Sequence, residues 1–253
     1  MMTGLMTERM KEDMDISMGN EITGLKRAGT PSYREQLFEV LTFCFLILPG
    51  LAFSFTAGPA LKENFLLGVV GVMLSDLALV TLVCFFLWHN GEKFAGIGWI
   101  LKGYQKEIVL GVLLYFPLVY GLSFVEELLQ SAGLVSTKGH IPSFLEPVGT
   151  IQQIVATLMI LIVAVSEETI FRGYLILRLK SITRSPFAAV IISSIIFSVG
   201  HGYEGLAGVI IVGIMGTSFA VIYLWRKSLM APIVMHFMQD FVAIVLVSRM
   251  ADK

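Results

Sequence analysis

Seven apolar runs, near residues 37–56, 65–88, 107–125, 150–177, 187–201, 206–225 and 230–248, dominate this 253-residue sequence. A helix needs about 20 residues, at ~1.5 Å each, to cross ~30 Å of hydrocarbon; the fifth run is shorter than that. Helix is the only conformation open to such runs in lipid, because an open strand edge leaves its N–H and C=O groups without partners. The sequence therefore predicts an all-α fold, a polytopic transmembrane helix bundle of about seven spans. Composition agrees, with 56% hydrophobic and 15% charged residues, where ordinary soluble domains carry about 25% charged. A formal net charge of −1 offers no basic surface for nucleic acid. The partner that composition implies is the lipid bilayer.

Loop charges set an orientation. Thirteen of the 18 Lys and Arg fall in the amino-terminal tail, the 89–106 and 178–186 loops and the turn at Arg226 and Lys227. Lys62, Lys138, Arg249 and Lys253 fall in the alternate loops, and Arg172 lies inside a run. By the positive-inside rule the amino terminus is cytoplasmic, in a multi-pass protein of the cell membrane. Residues 1–36 read as a flexible cytosolic tail and 37–253 as the transmembrane domain. The glycine-spaced segment Phe94–Lys102 suits a short interfacial helix, and the 126–149 loop suits an external cap or a second partial helix. Cys44 and Cys84 sit inside apolar runs and read as small buried hydrophobes rather than a disulfide or a metal site.

Seven ionisable residues remain at membrane depth: Asp76, Glu167, Glu168, Arg172, His201, His236 and Asp240. Each charge costs about 2.5–3.5 kcal/mol at a helix centre on insertion scales, so each needs a partner or a watery cavity. Glu168 and Arg172 stand four apart and can neutralise each other as a structural clamp. Glu167 points about 100° away from Glu168 on a helix, which leaves it free to face a cavity as a general base. His236 and Asp240, again four apart, share a helix face, and His201 closes Phe197-Ser-Val-Gly-His201 between glycines. A glutamate, two histidines and an aspartate can together activate water and stabilise an oxyanion. Counted from the cytoplasmic edge of each run, Glu167 lies ~16 Å deep, Asp240 ~15 Å, His236 ~9 Å and His201 ~20 Å. His201 stands out as too deep for the others.

Three motifs carry a resemblance. Glu167-Glu168-Thr-Ile-Phe-Arg172, Phe197 to His201 and His236 to Asp240 are similar, in order, to those of the CAAX-protease and bacteriocin-processing intramembrane endopeptidases. That family was formerly called abortive-infection proteins and includes the type II CAAX prenyl endopeptidases. The motifs lie within 149–248. The resemblance implies that Glu167 is the catalytic carboxylate, that His201 assists it in activating water, and that His236 and Asp240 form the oxyanion site. Glu168 and Arg172 would support them. Asp240 stands where prenyl-protein peptidases tend to have asparagine, so it must be neutral beside an oxyanion or serve to orient His236. The implied substrate is a membrane-associated peptide or protein, of prenylated, pheromone or bacteriocin type.

Two mechanisms fit these residues. One uses no cofactor; the other places zinc on His201, His236 and Glu167 with an open water position, although no His-Glu-x-x-His helix is present. Outside hydrolysis, the same polar set fits a non-catalytic immunity or scaffold protein, or a proton-coupled transporter with a buried relay.

Overall fold

The computed structural model describes residues 31–56, 65–134 and 145–246. Each apolar run lies on a helix: α1 Tyr33–Thr56, α2 Phe65–His89, α3 Tyr104–Ser131, α4 Gly149–Thr183, α5 Pro186–Val199, α6 Gly205–Arg226 and α7 Met230–Leu246. No strand occurs among the described residues. Four helices have the length and apolarity to cross a membrane: α2, α3, α4, and α6 together with the turn that precedes it; α5 and α7 are shorter apolar helices.

Local chemistry explains where several helices begin and end. Ser32 and Glu35 form a capping box, with Ser32 N–H donating to Glu35 Oε2 at 2.9 Å and Glu35 N–H to Ser32 Oγ at 3.4 Å, so α1 begins ahead of its apolar run. Ser185 Oγ accepts from Ala188 N–H, and Pro186 fills the first position of α5, where a missing N–H costs nothing. Midway, α4 widens into a π-helical segment over Glu168–Leu175. Ser193 of α5 donates to Phe171 O at 2.8 Å and ties that segment down. Such wide turns occur often at functional sites.

The bundle is assembled from a few close helix pairs: α3 on α7, α2 on α4, α5 on α6, and the last turns of α4 against α5 and α1. On α3, Gly111 permits the approach to α7, since a Cβ there would lie 2.8 Å from Ala231 O. Small residues at helix contacts are the usual device where lipid removes any hydrophobic drive between helices. One apolar core runs from Val40 and Phe43 of α1 through Tyr174, Leu175, Phe197 and Phe219 to Ile233 and Met235 of α7.

Three sequence expectations change. Arg178, assigned to a loop by its charge, is 1% exposed within α4 and donates to Glu39 Oε2 at 2.7 Å and to both oxygens of Glu92. Tyr174 donates to the same Glu39 oxygen, and Asn90 to the other. This ionic knot fastens α1 and the end of α2 to α4. Phe94–Ile97 is a single 3-10 turn instead of an interfacial helix; Ile97 is fully buried, and Trp99 Nε1 donates to Thr169 Oγ1 at 3.2 Å. The segment is plugged into the bundle because the left-handed Gly98 turns it inward, where Gly98 O accepts from Leu229 N–H. Glu126 and Glu127 extend α3, which runs to Ser131. The tail up to residue 30, Lys62, Lys138 and the end after 246 lie outside the described residues. Cys44 and Cys84 are free and only half-buried.

Candidate functional site

The site forms where the π segment of α4 meets α7. Glu168 is wholly buried, and its Oε1 accepts from Arg172 Nη1 at 2.8 Å, one turn along, and from His236 Nδ1 at 2.8 Å. A carboxylate only accepts, so Nδ1 carries the proton in this contact and the His236 ring is fixed in orientation. Arg172, 1% exposed, lies with its guanidinium carbon 4.2 Å from the Phe197 ring centroid and 5.3 Å from that of Phe219. Its Nη2 passes over Gly216 of α6, where a Cβ would come within 3.1 Å of it. The cation is therefore held by one carboxylate, two aromatic faces and a missing side chain.

The other nitrogen of His236 faces two more carboxylates. Nε2 is 3.6 Å from Glu167 Oε2 and 3.4 Å from Asp240 Oδ2. Exposure divides the four side chains. Glu168 and His236 are 0% and 3% exposed, whereas Glu167 and Asp240 are 19% and 26% exposed. The two glutamates thus grip opposite nitrogens of one imidazole, and only Glu167 can be reached by a solvent molecule or a substrate. The two glutamates face different ways, as expected, and Glu167 has His236 beside it.

His201 lies just past the end of α5. Its Nδ1 is 3.0 Å from Phe197 O, and its ring packs on Phe197 at 4.8 Å and Tyr203 at 5.8 Å between centroids. A carbonyl oxygen accepts only, so Nδ1 is the donor and the neutral ring keeps Nε2 as a free base. The Phe197 ring also meets His236, at 6.1 Å, and so joins both histidines to Arg172. Among the described residues no hydrogen bond joins His201 to Glu167. Leu229, just before α7, is fully buried and its N–H donates to Gly98 O, so α7 begins inside the protein.

Six of the seven residues singled out in the sequence, Glu167, Glu168, Arg172, His201, His236 and Asp240, come into one neighbourhood. Sequence reasoning left out Phe197 as the ring beneath Arg172 and Gly216 as its clearance. The Gly213-Ile-Met-Gly216 spacing was an available signal, since small residues in an apolar helix mark a close contact. For the zinc alternative, no group of three or more His, Cys, Asp or Glu side chains among the described residues is disposed to hold a metal ion. Both histidines bond through Nδ1, to a carboxylate and to a carbonyl, and turn Nε2 to the other side of the ring.

Four apolar helices of spanning length and a buried acid–histidine centre at the junction of three helices define the class, a multi-pass membrane protein. Residues 150–242 match the family described as type II CAAX prenyl endopeptidase Rce1-like, a segment that holds all three motifs. The resemblance is thereby shown over that segment, and it supports an intramembrane endopeptidase at the level of the family. No curated protein and no solved structure matches the chain.

Proposed function

We propose that the protein hydrolyses a peptide bond of a membrane-associated peptide or protein, with Glu167 as the base that activates water. The observation that carries this is the division of labour between adjacent glutamates: Glu168 is sealed between Arg172 and His236, while Glu167 is partly exposed beside the same imidazole. In this reading a water on the exposed side gives a proton to Glu167, and its oxygen bonds to the scissile carbonyl carbon. His201, through its free Nε2, helps to hold that water. The negative oxygen accepts from Nε2–H of His236, which carries a proton on both nitrogens among its three carboxylate neighbours, and Asp240 orients the ring or, as a neutral acid, donates as well. When the C–N bond breaks, the proton on Glu167 passes to the amine nitrogen. No cofactor is required. The bundle lies in the membrane with the amino terminus in the cytoplasm, which brings the site within reach of cytosolic chain ends anchored by lipid.

A library of farnesylated and plain peptides, incubated with protein in liposomes and read by mass spectrometry, tests the reading. Cleavage by the wild type that is lost in Glu167→Gln supports it. Absence of any cleavage across both libraries favours the scaffold or immunity alternative. Proton-driven solute flux through the same liposomes, blocked by Glu167→Gln, favours the transporter.

A further inference from the structure

Asp76 is the only acidic residue of α2 and stands near the middle of its 25 residues. It lies outside the segment matched by the family. Helix α2 packs along α4 and also touches the π segment that follows Glu167. Asp76 Oδ2 and Glu167 Oε2 are both buried, and among the described residues neither has a hydrogen-bond partner. The charge of Asp76 reaches Glu167, and that of His236 reaches both carboxyl groups.

Two ionised carboxylates facing each other in a low dielectric are strongly disfavoured, as are two neutral acids with unbonded inner oxygens. One proton between them removes both penalties. The result is a coupled pair whose titration belongs to neither residue alone. From this juxtaposition we propose that Asp76 is a positioning residue of the site, which holds a proton against Glu167. The neutral Asp76 donates to the buried side of Glu167, and the exposed side of that carboxylate keeps its charge and its aim. The balance is simple: Asp76 retains its proton throughout the cycle, while Glu167 takes one from water and returns it to the amine. This role rests on Glu167 as the base proposed above.

Other titratable groups face Glu167 or its neighbours Arg172, His236 and Asp240. From α4 come Glu168 and Arg172, from α7 His236 and Asp240, from α3 Tyr115, and from the α5–α6 connection His201, Tyr203 and Glu204. The test must therefore isolate one proton among many, which infrared difference spectroscopy of carboxylic acids can do without substrate. In the full-length protein in liposomes, a protonated-carboxyl C=O band near neutral pH is expected, and it should be removed or displaced by Asp76→Asn and by Glu167→Gln alike. Titration of the unsubstituted protein should show that carboxyl pair losing its protons in two separated steps. A band altered by one substitution and untouched by the other, or no such band, overturns the proposal. With a quenched-fluorescent farnesylated peptide as probe, Asp76→Ala should lower kcat about 100-fold at unchanged KM, while Asp76→Asn, still a donor, should retain most of kcat. Equal kcat loss in both variants overturns the role of a donor. If the band behaves as described and no peptide is cut, the hydrolase reading fails while the proton pair stands.

Discussion

Glu168 and Arg172 offer the sharpest energetic test. The pair is 2.8 Å apart and almost fully shielded, and the same carboxylate oxygen holds His236. Removing one partner of a buried ion pair costs about 3–5 kcal/mol, because the other charge is left uncompensated. Glu168→Gln keeps the shape but removes the charge, and it also weakens a charge-assisted bond to His236 of the kind worth about 1.5–3 kcal/mol. At about 2–4 °C per kcal/mol for a chain of this size, the melting temperature should fall roughly 6–20 °C. Arg172→Met should fall less, because Met fills the aromatic slot between Phe197 and Phe219. In the double variant neither charge is stranded, so the loss should be smaller than the sum of the singles by about 1–3 kcal/mol. What remains after that coupling is the share belonging to His236. The assay is thermal unfolding in detergent across the cycle. Additive losses, or a Glu168→Gln protein that melts within about 3 °C of wild type, would refute the clamp.

The remaining expectations are briefer. Gly216→Ala places a methyl group 3.1 Å from both Arg172 Nη2 and Phe197 Cδ1; overpacking of this kind costs about 1–3 kcal/mol, measurable as lost thermal stability, and the variant should cut peptide more slowly. Asp240→Asn should preserve or raise turnover if that residue must be neutral beside an oxyanion, and exhaustive chelation should leave turnover unchanged; loss of activity on chelation, restored by zinc, would reverse this. In a background lacking Cys44 and Cys84, Ser181→Cys, exposed after the end of the π segment, should resist an impermeant reagent applied to intact cells, while a cysteine near Lys138 should react. The opposite labelling would overturn the orientation.

What the sequence made legible was periodic or local. Apolar runs fix helices because lipid permits nothing else, and the four-residue spacings place Glu168 by Arg172 and His236 by Asp240 on any helix. What stayed hidden depends on contacts between distant segments. Arg178 reads as a cytoplasmic charge until Glu39 and Glu92, 139 and 86 residues away, are seen to enclose it. The meeting of both glutamates on His236 depends on α7 starting beneath Gly98, which no hydropathy window reveals. Asp76 stood out as a lone intramembrane acid, yet only the packing of α2 on α4 gives it a neighbour.

The central claim is that water, activated by Glu167, cuts a peptide bond in this site. It is tested most directly by cleavage in oxygen-18 water, comparing wild type with Glu167→Gln in liposomes on one farnesylated peptide. The expected result is one heavy oxygen in the new carboxylate and a rate at least about 100-fold lower in the variant, with both proteins equally folded. Cleavage by Glu167→Gln at more than about a tenth of the wild-type rate would contradict the account, since a general base contributes at least ten times that factor.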